Sequence, residues 1–278
     1  MKNAITRRAA LGLAACLLTG SLIGCGGAGA NVRNSTEPVT VSRAIATKGI
    51  WFSTCGTPAK DTRIDKVVSF DGEGGATCYN TLGLTFADIE GLSDTEVIDI
   101  AAERDEQAFD AGVEDRIGDL ESEIDGTRKI IIPRHEDDLQ YMLTEGAPAE
   151  EIEKTQNIIA DMEEDIADYE RQIESLKALK YQAPAPLPYR LSTETDDSGN
   201  RSVRETLNLK VMSLPVTGDT KLVENEIRFS LDAGDTGCFP VYDSRYAGFV
   251  EGDFWTKVGE NFLTFELDAP GTEGIEVD

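Results

Sequence analysis

The sequence predicts an α+β protein: an antiparallel β domain, sandwich or barrel, into which a long antiparallel helical coiled-coil hairpin is inserted. Two apolar seams of helical period lie in the middle of the chain, strand-like alternation occurs on both sides of them, and a glycine and a proline separate the seams. In the second seam, Ile152, Ile159, Ile166 and Ile173 alternate with Thr155, Met162, Tyr169 and Leu176 in steps of three and four, which is a heptad pattern. The positions between them are mainly Glu, Asp, Lys and Gln, so this stripe needs a partner to leave water. The first seam, Val113, Ile117, Leu120, Ile124, Thr127 and Ile131, repeats the spacing and supplies one. Between them Gly146 can close one helix and Pro148 can open the next. Beyond Pro133 the apolar residues arrive one place late for this pairing, so the proline is expected to kink the arm and cost it phase.

Taken in order, Met1 to Ser21 has a cationic start at Lys2, Arg7 and Arg8, an apolar run from Ala9 through Leu18, and then small residues. That is the grammar of a secretory leader, too short to span a bilayer as a mature helix. Leu22-Ile23-Gly24-Cys25 follows and resembles the lipobox of bacterial prolipoproteins. The resemblance implies a diacylglyceryl group on the Cys25 thiol, cleavage ahead of it, and a protein held at the extracytoplasmic face of the cell membrane. With at least two acyl chains such an anchor is stable. Thr6-Arg7-Arg8-Ala9-Ala10-Leu11 also resembles a twin-arginine export signal, although Ala10 stands where a leucine or aromatic is usual, so the export route stays open.

These signals divide the chain into a signal peptide at 1–24, a lipidated tether at 25–38, a first β segment at 39–92, the hairpin at 93–181 and a second β segment at 182–278, which completes one β domain with the first or, in the alternative, forms a separate β unit joined to it by the helices. Val39-Thr40-Val41, Ile50-Trp51-Phe52 and Lys66 to Phe70 read as strands, and Asp71-Gly72-Glu73-Gly74 turns the last of them back on Gly75 to Tyr79. Ser93 with Glu96 forms a capping box that starts the helical region near Asp94. The prolines between Ala183 and Pro188 end it in an extended connector. Strands resume at Tyr189 to Thr195 and Ser202 to Met212, then around Ile227, Phe229 and Leu231, around Leu263, Phe265 and Leu267, and at Ile275 and Val277.

Composition excludes one class of partner. With 52 Asp and Glu against 26 Lys and Arg, the chain lacks the clustered cations that phosphate contacts require, so nucleic acid is not an expected partner. With a single histidine, His135, on the hairpin arm, neither a zinc site of ordinary type nor a serine-histidine-acid triad finds its residues. Glu194 to Glu205 places Gly199 sixth and Glu205 twelfth, as in an EF-hand loop, but it begins with Glu, has Arg201 at an apolar place and is flanked by strands. A hairpin turn is the expectation there, with no metal and no cofactor. In an oxidising compartment Cys55, Cys78 and Cys238 remain once Cys16 and Cys25 are accounted for, and Cys55 with Cys78 is the expected disulfide. The late aromatic residues Phe239, Tyr242, Tyr246, Phe249, Phe254 and Trp255 are expected to pack a core.

The function expected is that of a non-enzymatic, lipid-anchored extracytoplasmic protein. The membrane is its partner through Cys25, and an envelope protein is the expected partner at the hairpin, which acts as spacer or docking arm. The alternative is a periplasmic adaptor of a transport system, because a helical hairpin set in β structure resembles the membrane-fusion proteins. The lipoyl half-motifs that flank the hairpin in that family are not found beside Asp94 or Lys180.

Overall fold

The computed structural model describes residues 32–214 and 220–277. The expected signal peptide and Cys25 lie outside the described residues. Contacts group Asn31–Asp278 into one compact unit.

Ordered packing begins earlier than the tether boundary suggested. Val32–Asn34 forms a 3-10 turn with Val32 buried. Arg33 donates from Nη1 to Asp94 Oδ2 at 2.8 Å and from Nη2 to the Ile50 carbonyl at 3.1 Å, while its own carbonyl accepts from Gly259 N–H. An arginine with three such partners is a structural residue, so residues 32–38, expected as part of the tether at 25–38, belong to the folded unit.

Strand β1 (Val39–Thr40) leads into a short helix, α1 (Val41–Ile45). Strands β2 (Gly49–Thr54), β3 (Ile64–Phe70) and β4 (Gly75–Asn80) follow as an antiparallel meander. Helix α2 (Asp94–Gly126) starts on a complete capping box, in which Ser93 accepts from Glu96 N–H and the Glu96 carboxylate accepts from Ser93 N–H. A π-helical turn at Thr127–Ile131 joins it to α3 (Ile132–Glu145), and α4 (Ala149–Ala178) follows a link at Gly146, whose φ of 73° is the left-handed conformation that stops a helix.

After the helices come β5 (Leu187–Pro188), β6 (Arg190–Thr195), β7 (Ser202–Ser213), β8 (Val223–Asp232), β9 (Thr236–Val241), β10 (Ser244–Phe249), β11 (Phe254–Val258), β12 (Phe265–Glu266) and β13 (Glu276–Val277). They form three sheets, of order β5-β4-β3-β2-β11-β10-β9, β13-β6-β7-β8 and β1-β12.

The expected fold class is therefore corrected in both parts. The β structure is not one antiparallel sandwich or barrel: it is three sheets, and two contain a parallel pair, β1 with β12 and β13 with β6. Parallel partners need no hairpin, so two-residue segments from the two ends of the chain can close gaps that alternation along the sequence does not reveal. The helices are not the regular coiled-coil hairpin either. From Asp94 to Glu145 they form one 52-residue run interrupted by the π turn, and its first turns belong to the β structure. Ile132 N–H bonds back to the Thr127 carbonyl, five residues away, which inserts a residue and breaks the heptad phase. Ile131, expected in the seam, is 42% exposed, and Ile132 is buried in its place. The phase is thus lost one turn before Pro133, and the proline sits without a break in the first turn of α3.

Side-chain alternation explains the layers. Along the seven-stranded sheet, Trp51, Val68, Ala76, Ala247, Phe249 and Phe254 face one side and share a core with Leu191, Leu207, Leu209, Phe229 and Leu231 of the four-stranded sheet. Trp51 and Phe254 stack there at 4.8 Å, and Phe254 stacks on Phe229 at 4.4 Å. The other side, Ile50, Phe52, Val67 and Tyr246, is covered by Leu84, Phe86 and Ile89 of the β4–α2 connection and by Val97 and Ala101 of α2. A third cluster joins the helices through Leu120, Ile124, Ile132, Ile166, Ile173 and Leu176. Of the late aromatic residues, Tyr246, Phe249, Phe254 and Trp255 are buried, Phe239 stands edge-on to Trp255 at 5.4 Å, and Tyr242 is exposed.

Candidate functional site

Two places with buried carboxylates, Asp105 in one and Glu205 beside Asp268 in the other, mark where this fold does more than pack hydrocarbon. Burying an unpaired charge is expensive, so each needs an account.

The first is Asp105 on α2, 8% exposed. It continues the row Val97, Ala101, Asp105, each four residues on from the last, that faces the sheet. Its Oδ1 accepts from Asn80 N–H at 2.8 Å and from Asn80 Nδ2 at 3.1 Å, and its Oδ2 accepts from the Tyr181 hydroxyl at 2.9 Å. One side chain thereby ties α2 to the last residue of β4 and to the segment that follows α4. Its three donors are neutral. The cation closest in the network, Lys66, donates to Asn80 Oδ1 at 2.6 Å instead. Neighbouring groups feel the charge. Burial and the Asp105 carboxylate push the Tyr181 hydroxyl well above the ordinary phenol range, and Tyr79 is raised by the same two causes with Asp99 adding to them. The Cys78 thiol rises to about 11, mainly by burial, with Lys66 opposing and Asp105 reinforcing the shift. A cavity of about 230 Å³ opens beside Asp105, with Phe109, Gly112, Tyr181, Met212 and Leu214 in its wall.

The second is Glu205 on β7, fully buried between the two larger sheets. Its Oε1 accepts from Asp268 N–H at 2.6 Å, and its Oε2 has no hydrogen-bond partner among the described residues. Asp268, 3% exposed, accepts from Ser42 N–H at 2.8 Å and from the Ser42 hydroxyl at 2.5 Å, which fastens α1 to the C-terminal segment. Desolvation pushes the Glu205 carboxyl up to about 7; the Asp268 N–H lowers it and the Asp268 carboxylate raises it further. Asp268 also lines an open cleft of about 620 Å³. Glu205 is the twelfth residue of the EF-hand-like stretch, and the strand places it in the core rather than on a loop. Asp196, in that stretch, spends its Oδ1 on Ser198 N–H and Asn200 N–H within the turn.

The expected Cys55–Cys78 disulfide is corrected. Both are free thiols, as is Cys238. Cys78 stands opposite Val68, which stands opposite Trp51, so Cys78 lies two strands from β2 at the level of Trp51. Cys55 is four residues further along, beyond the end of β2. Two strand spacings and four residues amount to more than about 15 Å between α-carbons, against the ~7 Å limit for a bridge.

Asp105 was not among the sequence candidates and Glu205 entered only as the twelfth residue of the EF-hand-like stretch, yet both leave a trace in the sequence as buried acids. Asp105 interrupts an apolar row on a helix, and Glu205 occupies an inward place in the alternation that continues with Leu207 and Leu209. Among the described residues no group of three or more His, Cys, Asp or Glu side chains could hold a metal ion, and no helix is long and apolar enough to cross a membrane. Comparison with protein-family profiles, with curated proteins and with solved structures finds no match to this chain.

Proposed function

We propose that this is a non-enzymatic, lipid-anchored extracytoplasmic protein, attached through Cys25, whose helices dock a partner protein of the cell envelope. The observation that carries the reading is the run Leu22-Ile23-Gly24-Cys25 directly behind a cationic and apolar leader. The helices support the docking role. From Asp94 to Ala178 the chain carries 27 Asp and Glu against 8 Lys and Arg, a net charge of −19 out of −26 for the whole protein. Ile130, Tyr141 and Leu143 stand exposed among those charges. A partner for such a surface is basic and offers apolar contacts. The adaptor alternative is not advanced: β4 and β5, on either side of the helices, pair with each other at the edge of one large sheet, which is not an arrangement of two lipoyl-like halves.

The test is metabolic labelling with an alkyne fatty acid, with mass determination of the mature N-terminal peptide. Label on Cys25 in the membrane fraction, lost in Cys25→Ala, is the expected result. A mature N-terminus without acyl groups would overturn the anchor. For the docking role, a photo-cross-linking residue at Tyr141 should capture an envelope protein that the same probe at Val203, exposed on β7, does not.

A further inference from the structure

The cavity beside Asp105 has the chemistry of a cation site. Its charged wall is a carboxylate almost removed from water, held in place by three hydrogen bonds from neutral donors and joined by no ion pair with a basic side chain of the described residues. Each carboxylate oxygen accepts up to two hydrogen bonds. Oδ1 uses both places on Asn80, and Oδ2, with only Tyr181, keeps one free. The rest of the wall combines apolar side chains, Phe109, Met212, Leu214 and Leu222, with the polar Asn80, Gln182 and Ser213. The rings of Phe109 and Tyr181 lie 5.7 Å apart and inclined at 55°, and the thioether of Met212 faces the same space. Aromatic faces and a desolvated anion are the two features that hold ammonium groups in proteins.

We infer that this cavity binds a small organic cation, a protonated or quaternary amine, with its charged head against Asp105 Oδ2 and its carbon substituents against Phe109, Tyr181 and Met212. The volume of about 230 Å³ suits a compact amine head group. A divalent metal ion is the poorer fit, because one carboxylate and neutral donors do not make its usual shell of six or more oxygens. An anionic or neutral ligand leaves the buried charge uncompensated. The acidic surface of the surrounding helices raises the local concentration of cations and steers them toward the cavity. This assignment does not depend on the lipid anchor, and its failure leaves the anchor untouched.

Gly112 provides a clean test, because a Cβ built there meets nothing within 4 Å and the residue lines the cavity. Gly112→Leu therefore adds bulk at the cavity wall without removing a contact of the fold. Calorimetry or ligand-observed NMR on the full-length chain, at constant ionic strength, compares choline with its neutral isostere 3,3-dimethylbutan-1-ol. Saturable binding of choline, no binding of the alcohol, and a loss of at least about tenfold in both Gly112→Leu and Asp105→Asn are expected, with Asp161→Asn on the outer face of α4 unchanged. Equal binding of choline and the alcohol, or choline binding indifferent to Gly112→Leu, overturns the assignment. So does the absence of saturable binding by choline, tetramethylammonium and butylammonium alike.

Discussion

Replacing Glu205 with Gln should raise stability relative to the wild type progressively as the pH rises from about 5 to about 8. In the folded protein burial holds the Glu205 carboxyl at about 7, against 4.5 for the free group. Between those values the folded state keeps a proton that the unfolded state has lost, so stability falls as pH rises through the window and is fully reduced above it. The full difference corresponds to about 3 to 4 kcal/mol, of which about 2 to 3 is crossed between pH 5 and pH 8. Gln keeps an oxygen to accept from Asp268 N–H and never ionises. Any cost of its amide nitrogen at the place of the unpartnered Oε2 is the same at every pH, so the slope against pH is the diagnostic and the absolute stability is not. The other carboxylates titrate in both proteins and cancel in the difference. Urea unfolding followed by tryptophan fluorescence suits the experiment, because Trp51 and Trp255 are 3% and 0% exposed. Between about pH 5 and pH 8 the difference between Glu205→Gln and wild type should move by about 2 to 3 kcal/mol in favour of the variant. Parallel curves for the two proteins would refute the reasoning, since they would mean that the Glu205 carboxyl has an ordinary affinity for protons in the folded state.

Three further outcomes can be checked on the purified protein. Tyr181→Phe removes one hydrogen bond to the Asp105 carboxylate and should cost about 1 to 3 kcal/mol in the same urea assay, while Tyr141→Phe on the exposed face of α3 should cost nothing measurable. Gly126→Ala in the helical run meets open space and should stabilise by about 0.5 to 1 kcal/mol, whereas Gly248→Ala drives its Cβ into the Phe254 carbonyl oxygen on the neighbouring strand and should abolish soluble expression. Brief iodoacetamide treatment of the native protein should alkylate the exposed Cys55 and Cys238 and spare Cys78, whose thiol is half-buried and held at about 11. Loss of one exposed thiol together with Cys78 into a bridged peptide would contradict the strand order.

What the sequence by itself determined is what short-range chemistry controls. Ser93 and Glu96 cap a helix because both partners lie within one turn, Gly146 stops one because only glycine takes φ 73° without strain, and the run Asp71-Gly72-Glu73-Gly74 reverses β3 into β4 because turn geometry is local. The alternation of Leu207, Leu209 and their neighbours likewise sets which side of a strand faces inward. Tertiary structure alone decided how the strands are shared among three sheets. Val39 pairs with Phe265 and Glu276 with Ser192 in parallel, and β5 runs into β6 with a change of sheet and only Tyr189 between them, none of which leaves a periodic trace. The heptad count showed one residue of lost phase and assigned it to Pro133; it could not place the insertion at the π turn one turn earlier, because the composition around Ile131 and Ile132 is the same whichever of them is buried. The cysteines were misjudged for the same reason, since closeness along the chain does not specify distance across a sheet. Asp105 and Glu205 were visible as acidic residues in apolar rows. The chemistry of Glu205 came from what packs opposite it, because a carboxylate changes its affinity for protons when other parts of the chain have displaced its water, and that of Asp105 came from the donors and the cavity that distant segments place beside it.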